Sequence, residues 1–575
     1  MRIILLACCL ASLAAQCPAG SPDVRVDRVF AQWDRSSSPG CALAVVHQGA
    51  LIYSKGYGAA NLELGVPITP RTVFDIGSVS KQFTAMSIVL LAQDGKLSLD
   101  DEIHKFIPEL PEYGAPVTVR SMLHHLSGLR SYTDLFDLAG VPETDLTTDD
   151  DALALIARQK TLNYAPGRQY LYSDTNYFLL ALVVRRLSGL TLREFARTRI
   201  FVPLGMRRSH YHDDHAMIVR GRATGYAPRP TGGFDIDMSN FEELGDGSVM
   251  TTVEDLARWD RNFEDPVVGG QRAIAQLQEL GVRTDGSQAP YAMGLVLDEY
   301  RGIPRVQHTG EWVGYRSSFL RFPEARLSVI LLCNVIGDLD PLALSERVAD
   351  VYLKVGARSV PDGPSRAGPP GPAEIAAYAG NYWNAETFAY LRFVADAGTL
   401  VLDNADPPQR LISLGPGSFQ GGNSTTRYSF HRTANQVTVD AKTDDADSVV
   451  LQRMPQDRTP AADLTQYAGA YYNDELGVSW TLDVRHARLT RTQWMFPAQE
   501  LTAIFPDTFT GDLSEGTYAL KFTRNAAGRV DGFAVGTSMV RPLRFSRCEP
   551  AVPREGGPLA LGCKADIPAF RGGAP

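Results

Sequence analysis

Val73-Phe74-Asp75-Ile76-Gly77-Ser78-Val79-Ser80-Lys81 reads as a short extended entry, a glycine turn and the start of a helix. From Phe83 the apolar residues recur at helical spacing (Phe83, Met86, Leu90, Leu91), and Gly95 is a natural stop. Ser78 then stands at the helix start, with Lys81 one turn later on the same face. A serine hydroxyl is a weak nucleophile unless a base lies within hydrogen-bond reach, and a lysine three residues along a helix can supply one. The helix N-terminus adds free N–H groups suited to a developing oxyanion. A bare Ser-x-x-Lys also arises by chance in a chain of this length, so the pattern needs company downstream.

The chain has 575 residues, enough for two to four domains, and its 44% apolar and 21% charged residues are those of a soluble globular protein. A net charge of −9 without long charged runs argues against a nucleic-acid surface. Met1-Arg2 followed by the apolar run Ile3 to Ala15 and small residues predicts a secretory signal over residues 1–19, too short for a lasting membrane span. Leu5-Leu6-Ala7-Cys8 also looks like a lipoprotein signal, but the apolar run before Cys8 is very short for that. The expected location is secreted or periplasmic. Seven cysteines stand at 8, 9, 17, 41, 333, 548 and 563. Cleavage after Ala19 leaves four, with three possible pairings. A bridge from Cys548 to Cys563 would pin the Pro/Gly-rich tail.

Cys41 to Val46 and Ala50 to Tyr57 read as strands joined by a tight turn at Gln48-Gly49. Residues 148–200 look helical, interrupted by Tyr164-Ala165-Pro166-Gly167, and Ser173 or Asp174 would cap the helix that follows Tyr172. The two histidines of Met122-Leu123-His124-His125-Leu126 sit among apolar residues and read as structural. Ser209 to His215, with three histidines and two aspartates, suggests a metal, but with no predicted element to fix their geometry a polar surface loop is the better reading. After the loop Gly245-Asp246-Gly247-Ser248, Thr251-x-x-Glu254 reads as a capping box for the helix through Trp259. Arg305 to Gly310, Tyr315 to Phe322 and Leu327 to Asn334 are strand-like, and their short turns imply antiparallel neighbours. A helix near Leu342 to Val355 closes this part.

Pro361 to Pro372 holds five prolines and three glycines and reads as a linker. Beyond it, short alternating runs between turns predict β structure, and the pattern repeats. Tyr378-Ala379-Gly380-Asn381-Tyr382 recurs 89 residues later as Tyr467-Ala468-Gly469-Ala470-Tyr471. Leu411, Pro416, Phe419 and Gly421 match Leu501, Pro506, Phe509 and Gly511, and Phe430-x-Arg432 matches Phe522-x-Arg524. Two copies of one β domain of about 85 residues follow from this.

Three features now stand in order: Ser78-x-x-Lys81, Tyr172-Ser173-Asp174 and His308-Thr309-Gly310. In this the chain resembles the penicillin-recognising serine hydrolases, which include class C β-lactamases, serine DD-peptidases, D-aminopeptidases and related esterases. There a Ser-x-x-Lys, a Tyr-x-Asn and a Lys- or His-x-Gly line one cleft. The resemblance covers roughly residues 25–355, and the two β repeats extend it toward the D-aminopeptidase arrangement. It implies an α/β fold of the β-lactamase/transpeptidase type, an antiparallel sheet flanked by helices with a helical subdomain, over residues 22–358. A linker (359–372), two antiparallel eight-stranded barrels (373–456 and 460–548) and a tail (549–575) would complete the chain.

The resemblance also implies roles. Ser78 would form the acyl-enzyme, Lys81 would share its proton network, and Tyr172 would serve as base and then acid. His308 would stand where others have lysine, beside Thr309 and Gly310, and the N–H groups of Ser78 and Glu311 would form the oxyanion hole. No cofactor or metal is implied. The substrate would be a small amide or ester, first a D-amino-acid peptide and next a β-lactam or simple ester. The rival is an idle binding or sensory protein of the same fold, supported by one departure: Asp174 replaces the family's Asn. Beside Lys81 a carboxylate would favour the ammonium form and shift the base role toward Tyr172; alternatively Asp174 only caps its helix and accepts the same hydrogen bonds as Asn. Cys41 and Cys333 would meet, since in the family their strands are antiparallel neighbours. Finally, a loop of the last barrel would reach the cleft, and Asp512-Leu513-Ser514-Glu515-Gly516, longer and more acidic than its counterpart, is the candidate, with Asp512 or Glu515 attracting a substrate ammonium.

Overall fold

The computed structural model describes residues 22–548, except 338, 354–369, 406–407, 422–425, 434, 444–445, 456–462, 494–496 and 515. The expected signal peptide, most of the linker and the tail lie outside the described residues.

Strand β1 (Cys41–His47) is apolar along almost its whole length because both its faces are covered. It lies inside a six-stranded antiparallel sheet with β2 (Ala50–Tyr57), β3 (Val296–Tyr300), β4 (Ile303–Trp312), β5 (Tyr315–Phe322) and β6 (Leu327–Cys333), in the order β3-β4-β5-β6-β1-β2. Alternation divides its side chains. Ala42, Ala44 and Val46 enter the main core, and Cys41, Leu43 and Val45 enter a second core. That second core is closed by helices α1 (Pro22–Phe30) and, at the end of the domain, Pro341–Tyr352. The main core holds the helix Lys81–Gln93, here α2, and behind it α3 (Tyr132–Ala139), α4 (Asp174–Ser188) and α5 (Val253–Glu264). Cys41 is the register partner of Cys333 across β1 and β6, and the two form a disulfide. Cys548 is also disulfide-bonded; Cys563, its expected partner, lies outside the described residues.

Two local expectations need correction. The helix cap is Thr252, whose hydroxyl accepts from the Asp255 amide, one residue later than the expected Thr251 and Glu254. Thr251 is taken up by a small sheet in which Val249–Thr251 pairs with Phe74–Asp75 on one side and His210–Tyr211 on the other. The same sheet turns part of the predicted 209–215 surface loop into a strand.

Barrel one is a closed eight-stranded barrel from Gly380–Trp383 to Val449–Arg453, entered through a helix, Pro372–Tyr378. Barrel two runs from Gly469–Asn473 to Leu543–Arg547, and its sheet ends on Gln499–Glu500 and Thr502–Phe505, two halves of one strand broken at Leu501. The repeat is visible in the contacts. Tyr382 donates its hydroxyl proton to the Tyr378 carbonyl at 2.8 Å, and Tyr471 does the same to Tyr467 at 2.8 Å. Tyr378 stacks on Phe430 and Tyr467 on Phe522, with centroids 4.7 and 4.4 Å apart. Barrel two packs into the main core of the α/β domain. Barrel one meets it through Asp447, which accepts from the Tyr170 amide and pairs with Arg283. No helix among the described residues is long and apolar enough to cross a membrane.

Candidate active site

Ser78 lies in a 3-10 turn, Gly77–Ser80, and α2 begins only at Lys81. The sequence predicts a helix start at Ser78. The tighter turn serves the geometry better, because at three residues per turn positions i and i+3 eclipse. Lys81 Nζ therefore donates to Ser78 Oγ at 3.0 Å. The turn is clamped from outside: Gly77 N–H donates to Asp75 Oδ1 at 2.8 Å, and Val249 N–H to Ser80 Oγ at 3.1 Å. Gly77 has φ +49°, and a Cβ there would lie 2.8 Å from the Glu311 nitrogen. Only glycine lets the turn rest on β4 and so sets the backbone of Glu311 against the turn that carries Ser78.

The Lys81 side chain is fully buried. Its other two contacts are Asp174 Oδ1 and the Asp246 carbonyl, each at 2.8 Å. Three acceptors around one nitrogen match the three donors of an ammonium. Asp174 keeps its second oxygen for the hydroxyls of Ser131 at 3.1 Å and Thr133 at 3.3 Å. It is the first residue of α4, behind Ser173 at the cap position. Asp174 does not cap its helix; it meets Lys81 through Oδ1, an oxygen that an asparagine would also offer.

Tyr172 lies between a ring and a charge. His125 stacks on it with centroids 4.2 Å apart, and the Lys81 ammonium stands 4.7 Å from its ring centre. His125 accepts at Nδ1 from the Ser173 amide and the Asn176 side chain, each at 3.1 Å, which assigns its proton to Nε2. Burial, reinforced by the Lys81 charge, holds this imidazole neutral. His308 donates from Nδ1 to the Thr309 carbonyl at 2.5 Å and accepts at Nε2 from Tyr291 Oη at 2.8 Å. Burial pushes its pKa down to about 4. A neutral imidazole thus stands where the family's lysine would place a cation.

These residues meet in one cleft of about 260 Å³, whose lining includes Ser78, Tyr172, Asp174, His308, Thr309 and Glu311. Lys81 lies beneath it. Gly310 is packed behind, where a Cβ would fall 2.0 Å from the Ile76 carbonyl. Sequence reasoning missed Tyr132, Thr133, Phe241, Glu243, Asp246, Trp312 and Met539, which line the same cleft. Asp246 was visible only as part of a glycine loop. It accepts from Tyr132 Oη at 3.1 Å, and burial, with the Asp174 charge second, raises its pKa to about 7. Glu243 accepts from Thr147 at 3.0 Å, and burial raises it to about 8. No arginine or lysine is among the described lining residues.

Barrel two does reach the cleft, but not through the expected loop. Its contribution is Met539, fixed by Asn163 Nδ2 donating to the Met539 carbonyl at 2.9 Å and by Arg541 N–H donating to Asn163 Oδ1 at 2.8 Å. The loop around Asp512 docks to one side instead, where Ser514 donates to Asp137 at 2.6 Å. Asp512 is exposed and outside the cleft, and Glu515 lies outside the described residues. Of the residues weighed and set aside as metal ligands, Asp214 and His215 come together with Glu242, their ligand atoms within 4.8 Å of one another. This cluster is at the surface, and His215 is already paired with Glu242 at 2.7 Å.

Residues 26–353 match the family described as Beta-lactamase. The D-aminopeptidase of Gluconobacter oxydans (strain 621H) is 26% identical over 533 residues, covering 89% of this chain and 96% of that protein. The D-aminopeptidase of Brucella melitensis biotype 1 is 27% identical over 522 residues, covering 88% and 96%. In fold, the chain is similar to the octameric penicillin-binding protein homologue from Pyrococcus abyssi, with a TM-score of 0.54 and 23% identity over 75% of this chain and 99% of that one. With a serine and a buried lysine joined at the head of α2, and a family match over more than half of its length, the chain is a serine hydrolase that belongs to the beta-lactamase family.

Proposed function

We propose that the protein is a D-aminopeptidase, releasing an N-terminal D-residue from a short peptide or amide through an acyl-enzyme on Ser78. The observation that carries this is the polarity of the cleft. Its described lining residues include no arginine or lysine to hold a substrate carboxylate, His308 is neutral, Asp174 is already paired with Lys81, and the carboxyl groups of Glu243, Asp246 and Glu311 offer acceptors to a substrate ammonium. That speaks for cleavage beside a free amino terminus and against a carboxypeptidase. The D configuration rests on the two relatives, both D-aminopeptidases.

In this reading Ser78 Oγ attacks the carbonyl carbon, and the N–H groups of Ser78 and Glu311 receive the oxyanion. Lys81 has all three donors engaged. It therefore holds Ser78 in place, and the serine proton passes to Tyr172 as phenolate, stabilised by the nearby ammonium. Tyr172 returns the proton to the leaving amine. Water then enters and attacks the ester carbonyl, Tyr172 takes its proton and passes it to Ser78 Oγ as the acyl–oxygen bond breaks, and the amino acid leaves. Met539 limits the size of the group that fits. A secreted or periplasmic location is supported by the apolar N-terminal run and by the Cys41–Cys333 disulfide, a bond of oxidising compartments.

The test is a set of matched substrates: D-alanine p-nitroanilide, its L form, its N-acetyl form and a β-lactam, each with wild type and Ser78→Ala. The free D-amine should be turned over fastest, and Ser78→Ala should abolish turnover and acyl adduct formation. Faster turnover of the N-acetyl compound or the β-lactam would overturn the substrate assignment.

A further inference from the structure

Helix α3 links two parts of the molecule that are far apart in sequence. Its leading end holds the charges at the catalytic centre. Ser131, at the cap position, and Thr133 donate to Asp174, the Asp174 amide donates back to Ser131 Oγ at 3.2 Å, and Tyr132 donates to Asp246. Its trailing end is held by barrel two. The Leu138 carbonyl accepts from Trp480 Nε1 and from Gln493 Nε2, both at 3.1 Å. Nearby, Ser514 donates to Asp137, and at the leading end Thr537 donates to Asp134, in the first turn. Gly140, which ends the helix at φ +85°, leaves room for Gln493, since a Cβ there would fall 2.5 Å from its Nε2.

A helix of eight residues is not stable by itself; its position comes from what it docks against. The carbonyls of its last turn need outside partners, and barrel two supplies them for Leu138. We infer that barrel two positions the Lys81–Asp174 pair through α3, so that it sets the rate of acylation and does more than cover the cleft. Ser514 and Thr537 are then positioning residues. Neither lines the catalytic cleft, and both act through Asp137 and Asp134 on the first turn of α3. The inference needs only the Ser78 nucleophile, and holds whichever amide or ester is the natural substrate.

The test uses the full chain carrying Ser514→Ala with Thr537→Val, and p-nitrophenyl acetate, an ester too small to be limited by Met539. Expected is a fall in kcat of about tenfold, with KM held within about twofold and an equal fall in the rate at which a fluorophosphonate labels Ser78, because a catalytic group displaced by a fraction of an ångström loses rate before it loses binding. Thr537→Ser, which keeps the hydroxyl, should restore kcat in the Ser514 wild-type background. An unchanged kcat on the small ester, a change confined to KM, or a loss that Thr537→Ser does not relieve would each overturn the inference. Thermal melting checks that the variant is folded. If the double variant does not fold, Ser514→Ala alone, at an exposed hydroxyl, is read by the same kcat and labelling criteria.

Discussion

Asp174→Asn tests the charge arrangement at the nucleophile directly. The substitution keeps shape and leaves an acceptor for Lys81, but removes the negative charge 2.8 Å from a fully buried ammonium. At an effective dielectric of about 20 that pair attracts by about 6 kcal/mol. The asparagine carbonyl dipole recovers part of this, so the hold on the ammonium is weakened by about 2–4 kcal/mol. Lys81 can then share in deprotonating Ser78. The assay is kcat/KM on a D-aminoacyl p-nitroanilide across the acid and neutral range, which reports the free enzyme. The acid limb of the variant should move downward, with higher relative activity in acid. A limb that moves by less than about half a unit would refute the reasoning, since the Coulomb term cannot be that small at this distance.

Two other outcomes are expected. Stability should fall as pH rises above about 6.5: Glu243, with a native pKa near 8, and Asp246 and Asp137, near 7, are all raised above their unfolded values, so the stability they contribute is lost as pH climbs through those values. Across pH 6.5 to 8 Glu243 alone should account for about 2 kcal/mol. At lower pH the depressed histidines, His124, His210 and His308 near 4, act in the opposite sense between 6.5 and 4 and offset the acids. Urea midpoints across this range check the sign, and a midpoint that rises from pH 6.5 to 8 would contradict it. Met539→Ala should raise kcat/KM for bulky esters by about tenfold or less while leaving small esters within about twofold, because one side chain in a pocket is worth about 1–3 kcal/mol of discrimination; equal change on both would remove Met539 from substrate selection.

What could be read from the chain follows from how far each signal reaches along it. Strands β1 and β6 are apolar runs, β4 and β5 are marked off by the short turns beside them, and these patterns are local. Val296–Tyr300 escaped notice because an edge strand, half exposed and carrying Asp298 and Glu299, has little alternation to detect. Ser78, Lys81 and Tyr172 are marked by spacing within single elements. Thr133, Glu243, Asp246 and Met539 reach the cleft, and Ser131 reaches Asp174, from loops and helix ends that topology alone brings together. The barrel repeat was legible as residue offsets, and the paired Tyr382 and Tyr471 hydrogen bonds are its physical form. The expectation that 512–516 reaches the cleft fails for a related reason. Length and acidity describe a loop, but which loop meets the cleft depends on the docking direction of the barrel.

The placement of β1 carries a consequence for how the protein is made. This strand leaves the ribosome early, yet its partner β6 comes 292 residues later, as the Cys41–Cys333 bond records. At roughly 5–20 residues per second the interval is about 15–60 s. During that time the run Cys41-Ala42-Leu43-Ala44-Val45-Val46 can pair with β2 on one side only, so an apolar edge stands open to other chains. The sheet is completed from its two ends inward, and β1 is the strand that must wait. Crowding while the chain is incomplete should therefore favour aggregation through this hairpin over loss of any finished part of the molecule.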